Sequence, residues 1–546
     1  MAAMAHDATD TLTAETVELL QALIRNQCVN DGSQESGHEE RSARLLRDEL
    51  EGTGVDLELF DILPGRSSLI ARWPGTDPSA PALCLMGHTD VVPADPSGWS
   101  RDPFCGDVVT APARGDRPAL TEVWGRGAVD MLNLTASMAV AFRHLAASGA
   151  RPSGDLLYFA VADEESGSAY GARWMAEHHR EAMMADYVLT ENGGLHSGPA
   201  DAPWIGINVA EKGVAWRRLR LRGRPGHGSM PFRGDNALVK AAAVVQRLAE
   251  YAPPPRLHEL WRERVETLGV DEETRAALMD PDRIDALLAA MGNAGAAAHL
   301  HACTHTTFSP NTSGASVMKT NVIPGVVELG VDIRTLPGER AEDVTDHLRA
   351  ALGEELFDQV DVEVIMNDPA SISRTDTPLW DALQTAVQRP FPAARLSPQM
   401  VVGFTDSRVY RQLGAVAYGT HASGDSRRAN YSATRGGAEL MFDFRATPRS
   451  NWVEVHLFGG GSLTGLSAKG DYCVDQNGQF GIDCPDPPTV ENRVKTGVET
   501  FTSAFAAAPR IASAASKSAC EYIAPAIVMM IGPTIVSAAM MTTVRW

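Results

Sequence analysis

None of the seven cysteines sits in a Cys-x-x-Cys pair; they are scattered from Cys28 to Cys520. That excludes a thiolate zinc knuckle and argues against a disulfide framework, and it fits reduced thiols in a cytosol. Cationic residues are also short. The 48 Lys and Arg face 69 Asp and Glu, a net charge of -21, which argues against the clustered basic surface that nucleic acid requires. No Gly-x-x-x-x-Gly-Lys loop follows a strand pattern, so a phosphate-binding or nucleotide enzyme is a poor reading. The stretch Met1 to Glu15 lacks the basic start and apolar core of a secretion signal, and a cytoplasmic location is expected. One uncharged apolar stretch, Ile523 to Met541, approaches the length of a membrane span, but Pro525, Gly532 and Pro533 interrupt it and insertion is not expected.

What is present is an ordinary globular composition, 44 % hydrophobic and 21 % charged over 546 residues, enough for two or three domains with their own cores. Amphipathic helices are expected at 15–29 and 38–51, strands at 55–62, 67–73 and 82–88, and a helix over Met131 to Ala147. The segments 155–163, 169–180 and 185–190 continue a strand-helix-strand alternation, which points to an α/β domain.

Four chemistry-bearing signals follow apolar runs. Leu83 to Pro93 contains His88 and, two residues on, Asp90, which share a strand face. A carboxylate on one imidazole nitrogen fixes the tautomer and frees the other nitrogen for a cation. Trp124 to Asp130 leads into a helix, Asp155 to Glu165 delivers the adjacent Glu164 and Glu165, and Asp186 to Asn192 delivers Glu191. Ligands of open α/β sheets bind beyond the carboxyl ends of strands. Each acid alone reads as a solvated loop residue or cap, and the set together reads as a metal site.

As an ordered set these motifs resemble the two-zinc metallohydrolases of peptidase family M20, which includes aminoacylases, glutamate carboxypeptidases, succinyl-diaminopimelate desuccinylases and dipeptidases. The resemblance covers about residues 15–420. It implies an α/β catalytic domain with a mixed sheet and helices on both faces, interrupted by an α+β lid or dimerisation domain. It implies two zinc ions, with cobalt able to substitute, Asp130 bridging them, His88 and Glu191 completing one, and Glu165 on the other. Asp90 then orients His88, and Glu164 is the general base for cleavage of an amide bond in a small peptide or N-acyl amino acid. The expected domains are 1–211 and 357–420 for the catalytic part, 212–356 for the insertion, and an atypical tail, disordered or foreign, at 421–546.

Within the insertion, Gly226-His227-Gly228-Ser229 matches a family motif whose histidine steadies the oxyanion, often in the site of a partner subunit, which implies a homodimer. Asn321 and Arg334 match further substrate-binding positions. Arg334 would hold a substrate carboxylate by paired hydrogen bonds, with a structural salt bridge as its alternative. Val401 to Arg408 resembles a segment that lines the substrate pocket. Glu191 and Arg334 lean toward the carboxypeptidase and deacylase branch.

One family element has no clear counterpart. The last zinc ligand is a histidine soon after the strand matching Val416 to Gly419, and the histidines beyond it are His421 and His456. The expectation is one firmly held zinc, a second that is weak or absent, and either an enzyme of low activity or a non-catalytic relative that keeps the fold.

Overall fold

The computed structural model describes residues 2–111, 120–199, 202–316, 319–389 and 391–420, and beyond them the strands Arg428–Arg435, Ala438–Ala446, Val453–Phe458, Cys473–Val474 and Phe480–Gly481. A ten-stranded mixed sheet organises the catalytic part. Its order is Asp56–Leu63, Arg66–Trp73, Leu156–Val161, Leu83–His88, Tyr187–Thr190, Val416–Gly419, Trp204–Glu211 and Ser371–Ile372, with Arg395–Val401 and Gly193–Ser197 also paired to Trp204–Glu211. The four strands from Leu156–Val161 to Val416–Gly419 run parallel to one another. Their carboxyl ends therefore open on one edge, where the site lies.

Alternation along the strands divides the core between the two faces. Leu83 and Leu85 join a cluster with Leu20 and Leu23 of the helix Ala2–Arg25, Leu46 of Glu40–Leu50 and Phe142 of Leu132–Ala147. Cys84 and Met86 join the opposite cluster with Met175 of the helix Ala172–His178 and Tyr410 of Ser407–Gln412. Helices thus cover both faces, as expected.

The glycine before His88 is fixed by packing. A Cβ at Gly87 would come within 2.5 Å of Thr135 Oγ1 and 3.0 Å of its Cα. The helix Leu132–Ala147 can approach the strand that closely only because the side chain is missing, and Thr135 Oγ1 then donates to the His88 carbonyl at 2.8 Å. That contact sets the height of Asp130, just before the helix, relative to His88.

The inserted domain is a five-stranded antiparallel sheet of Gly213–Val214, Arg217–Arg222, Thr307–Ala315, Val326–Thr335 and Val360–Val364. The helices Ala237–Glu250 and Ala341–Leu352 cover one face, burying Val244, Leu248, Val344 and Leu348 against Leu219, Leu329 and Val331. The domain differs from the expected 212–356 in two respects. Val360–Val364 pairs with Arg217–Arg222, so the sheet runs on to 364. Leu260, Trp261, Leu278 and Ile284, from three helices between 259 and 290, pack into the catalytic core, because the helix Glu259–Thr267 lies against the strand Arg395–Val401 and the next two helices pack on in succession. A fourth helix there, Ala294–Thr304, is alanine-rich and weakly amphipathic, so its sequence carries little helical periodicity.

Although adjacent in sequence, Trp204–Glu211 and Arg217–Arg222 belong to different sheets. In the tail, Arg428–Arg435, Ala438–Ala446 and Val453–Phe458 form a three-stranded antiparallel sheet. The apolar stretch Ile523 to Met541 lies outside the described residues. Among those described, no helix is long and apolar enough to cross a membrane.

Candidate metal centre

His88 ends a fully buried strand and is itself 2 % exposed. Its Nδ1 lies 2.9 Å from the backbone carbonyl of Asp90, so Nδ1–H donates there and Nε2 is left facing outward. Nε2 is 3.2 Å from Asp130 Oδ1 and 4.0 Å from Glu191 Oε2. The three residues offer ligand atoms within 4.8 Å of one another. One nitrogen and two carboxylate oxygens at such spacing suit zinc, whose ligands in a tetrahedral shell stand about 3.4 Å apart. Burial works against an imidazolium, but Asp130, Asp90 and Glu191 hold the His88 pKa well above its usual range. Surroundings that favour a proton on Nε2 equally favour a metal cation there.

Asp90 departs from its expected role. Its carboxylate is 3.5 Å from Nδ1 and spends its hydrogen bonds elsewhere. Oδ1 accepts from the Glu164 amide at 3.2 Å, and Oδ2 accepts from the Glu165 amide at 3.1 Å and from Asn30 Nδ2 at 2.9 Å. The same residue therefore orients the histidine through its main chain and pins the glutamate pair through its side chain.

The turn carrying those glutamates begins at Asp163, a non-glycine residue at φ 64°, a conformation that needs support. Asp163 accepts from Arg66 Nη1 at 2.6 Å, Asn30 Nδ2 at 2.9 Å and the Tyr170 amide at 2.8 Å. Arg66 also reaches Glu39 at 3.2 Å. Burial and the nearby Asp90 push the Glu39 carboxyl up to about 8, against the pull of Arg66. Sequence reading missed Asn30, Glu39, Arg66 and Asp163. Asn30 lies 60 residues from Asp90, and no local pattern marks it.

Glu164 is buried, and its Oε1 has no hydrogen-bond partner. Burial, then the Glu191 charge, raise its pKa well above the carboxylate range. Glu165 is pushed up to about 7, chiefly by burial, with Asp130 and Asp90 adding to it against His88. Glu191 is likewise raised by burial and by Asp130. Five acids, Asp90, Asp130, Glu164, Glu165 and Glu191, crowd round one histidine and repel one another, and a cation relieves that repulsion.

Asp130 does not arrive on the main sheet. The strand before it, Leu120–Trp124, pairs only with Asp107–Ala111 in a separate hairpin, and the side chain of Asp130 is 65 % exposed. His88, Glu164, Glu165 and Glu191 do lie at the common carboxyl edge. Val416–Gly419 runs parallel to the Glu191 strand, and the Thr420 amide donates to the Thr190 carbonyl at 2.7 Å. A Cβ on Gly419 would collide with the Glu191 carbonyl, so glycine lets the two strand ends meet. His421 follows directly but lies outside the described residues. His456 is on the strand Val453–Phe458, opposite Asp443.

Residues 84–430 match the family described as Peptidase family M20/M25/M40. The chain belongs to this peptidase family. Relatives of this family member include a probable carboxypeptidase S-like 2 of Dictyostelium discoideum, 26% identical over 362 residues, 63% of this chain and 65% of that protein. Aminoacylase-1 of Sus scrofa is 30% identical over 208 residues, 38% of this chain and 47% of that enzyme. The match thus spans less than two thirds of the first relative and about half of the second. Among solved structures, the M20 family metallo-carboxypeptidase Sso-CP2 from Sulfolobus solfataricus superposes with TM-score 0.58 at 18% identity, covering 76% of this chain and 93% of that one. The dipeptidase Dug1p from Saccharomyces cerevisiae superposes with TM-score 0.54 at 19% identity, covering 77% and 91%. Both share the fold.

The remaining residues expected at the site sit on the inserted domain of this peptidase-family chain. His227 and Asn321 come together where Gly226–His227 pairs with Val322–Ile323 and the Gly228 amide donates to the Asn321 carbonyl at 2.8 Å. His227 is exposed, with Nδ1 2.7 Å from Ser229 Oγ. Arg334 shows its structural alternative in part. Nε and Nη2 donate to Asp332 at 2.7 and 3.2 Å, while Nη1 is buried without a hydrogen-bond partner. Its guanidinium lies 5.2 Å from the Phe404 ring centroid, and that of Arg408 lies 4.2 Å from it. The segment Val401 to Arg408 thus faces Arg334 across the domain boundary.

Proposed function

We propose that this chain is a zinc-dependent hydrolase of an amide bond in a small peptide or N-acyl amino acid. The observation that carries the reading is the His88, Asp130 and Glu191 set with Glu164 buried beside it, one carboxylate oxygen unpaired. His88, Asp130 and Glu191 would hold one zinc, and Asp130 with Glu165 would contribute to a second. Bound zinc supplies Lewis acidity toward the scissile carbonyl and the attacking water. Glu164 takes a proton from that water and returns it to the leaving amine, a task suited to a carboxyl whose pKa burial and neighbouring charge have raised. Asp90 keeps both glutamates in place. The unpaired Nη1 of Arg334 supports a substrate carboxylate, hence a carboxypeptidase or deacylase preference.

The proposal extends to a homodimer in which His227 serves the neighbouring subunit's site. Exposed Met230, Phe232, Leu238 and Val239 follow His227 in sequence, and Val362 and Val364 are exposed on the outer strand of the inserted sheet. Such a surface supports a second copy as cover. The free thiols of Cys28, Cys84, Cys105 and Cys303 support a reducing, cytosolic setting.

A second reading, a relative impaired by a poorly held second metal, rests on Glu165 and Asp130 being the described ligands there, fewer than the three usual at a catalytic zinc. Hydrolysis of a panel of N-acyl amino acids and dipeptides, before and after chelation and with zinc restored, decides between the two. Metal-restored turnover supports the enzyme; zinc uptake without turnover on any panel member supports the impaired relative.

A further inference from the structure

Three histidines and a cysteine alternate in the stretch His299-Leu300-His301-Ala302-Cys303-Thr304-His305, on the helix Ala294–Thr304 and its capping residue, whose Leu300 and Cys303 join the catalytic core away from the metal centre. His301 and His305 are four residues apart and share a helix face. Their rings lie parallel, centroids 3.9 Å apart with 3° between planes. His305 is 1 % exposed and its Nδ1 lies 3.0 Å from the His301 carbonyl, so Nδ1–H donates there and the Nε2 lone pair points away from the helix. Asp285, from the preceding helix Ile284–Ala290, places Oδ1 3.1 Å from that Nε2. The two do not form an aligned hydrogen bond, and Nε2 remains a buried nitrogen without one.

We propose that Asp285, His301 and His305 form a non-catalytic site for a divalent transition cation, with zinc the natural occupant. Their ligand atoms already stand within 4.8 Å of one another. The 3.1 Å between His305 and Asp285 is close to the spacing of two ligands on one tetrahedral ion, about 3.4 Å. The two rings are stacked parallel and one ion cannot lie in both ring planes, so His301 must rotate out of the stack to bring a nitrogen lone pair to the ion. Two imidazoles and one carboxylate select zinc, nickel or copper over calcium and magnesium, which prefer oxygen shells. The His305 backbone carbonyl accepts from Lys212 Nζ at 2.6 Å. Lys212 opens the crossing from the large sheet to the inserted one, and His305 stands just before the inserted strand Thr307–Ala315. A cation here clamps two helices of the catalytic part at the root of the inserted domain. Asp285 is more than half exposed and His301 half-buried, so the ion has access from solvent.

The test uses the full chain, stripped of metal and re-equilibrated with zinc alone, with zinc counted after gel filtration. Asp130→Ala removes the shared ligand of the catalytic set and is expected to retain one zinc per chain. Adding His301→Gln or Asp285→Asn, both at solvent-reachable positions, is expected to remove that zinc and weaken its affinity about tenfold or more. Zinc is also expected to raise the melting temperature of Asp130→Ala and not that of either double variant. Equal zinc content in Asp130→Ala and both double variants overturns the site. If Asp130→Ala itself loses no zinc, the catalytic assignment is at fault, and the drop caused by His301→Gln still reads this site alone.

Discussion

Asp90 holds His88 with its backbone carbonyl, 2.9 Å from Nδ1, and gives its carboxylate to the amides of Glu164 and Glu165. Asp90→Ala should therefore leave the histidine tautomer intact while stranding two buried amides and Asn30. The expected loss is about 3 kcal/mol of stability, read as a lower urea midpoint, with weaker zinc binding. A variant as stable as the parent would show that the carboxylate is not what fixes the glutamate turn.

Glu164→Gln keeps the shape of the side chain but cannot accept a proton. Turnover should fall by about a hundredfold or more, with zinc content and KM little changed. If the variant loses zinc as readily as Asp130→Ala does, Glu164 is a ligand and the division of labour between the glutamates is wrong.

Inactive His227→Ala and inactive Glu164→Gln chains, mixed so that subunits exchange, should regain part of the parent activity, since one mixed site would carry both intact groups. A mixture shown to contain heterodimers and still inactive would put His227 in its own subunit's chemistry or in none.

Glu339 gives a prediction about pH. Burial works to raise its pKa, but the His347 imidazole 3.7 Å away and hydrogen bonds from Thr306 and the Leu336 amide bring it from 4.5 down to about 2. The folded state thus binds this proton less readily than the unfolded chain. Its contribution is complete above about 4.5 and is lost as pH falls through about 2. Glu339→Gln should cost on the order of 2 kcal/mol at neutral pH and flatten the decline in stability between pH 4.5 and 2 relative to the parent. Parallel urea titrations at several pH values check this; identical slopes would refute it.

Much of the site was legible in the sequence because its signals are local. A strand buried on both faces reads as an apolar run, so the positions of His88, Glu164, Glu165 and Glu191 at the ends of such strands follow from the runs themselves. The helix over Leu132–Ala147 and the parallel alternation around it follow from the same periodicities.

What the sequence could not supply were contacts whose partners are far apart along the chain. Asn30 bridges Asp90 and Asp163, and Arg66 ties Asp163 to Glu39, but each is an ordinary polar residue until the sheet brings them together. The helices between 259 and 290 read as part of the insertion because periodicity gives an apolar face without saying what it packs on. Only the tertiary structure sends Trp261 and Ile284 to the catalytic core and sets Asp285 beside His305. The exchange of roles within Asp90 has the same cause. A two-residue spacing shows that a carboxylate can reach an imidazole, but the buried amides of Glu164 and Glu165, which the fold delivers from 74 and 75 residues away, compete for that carboxylate and win it.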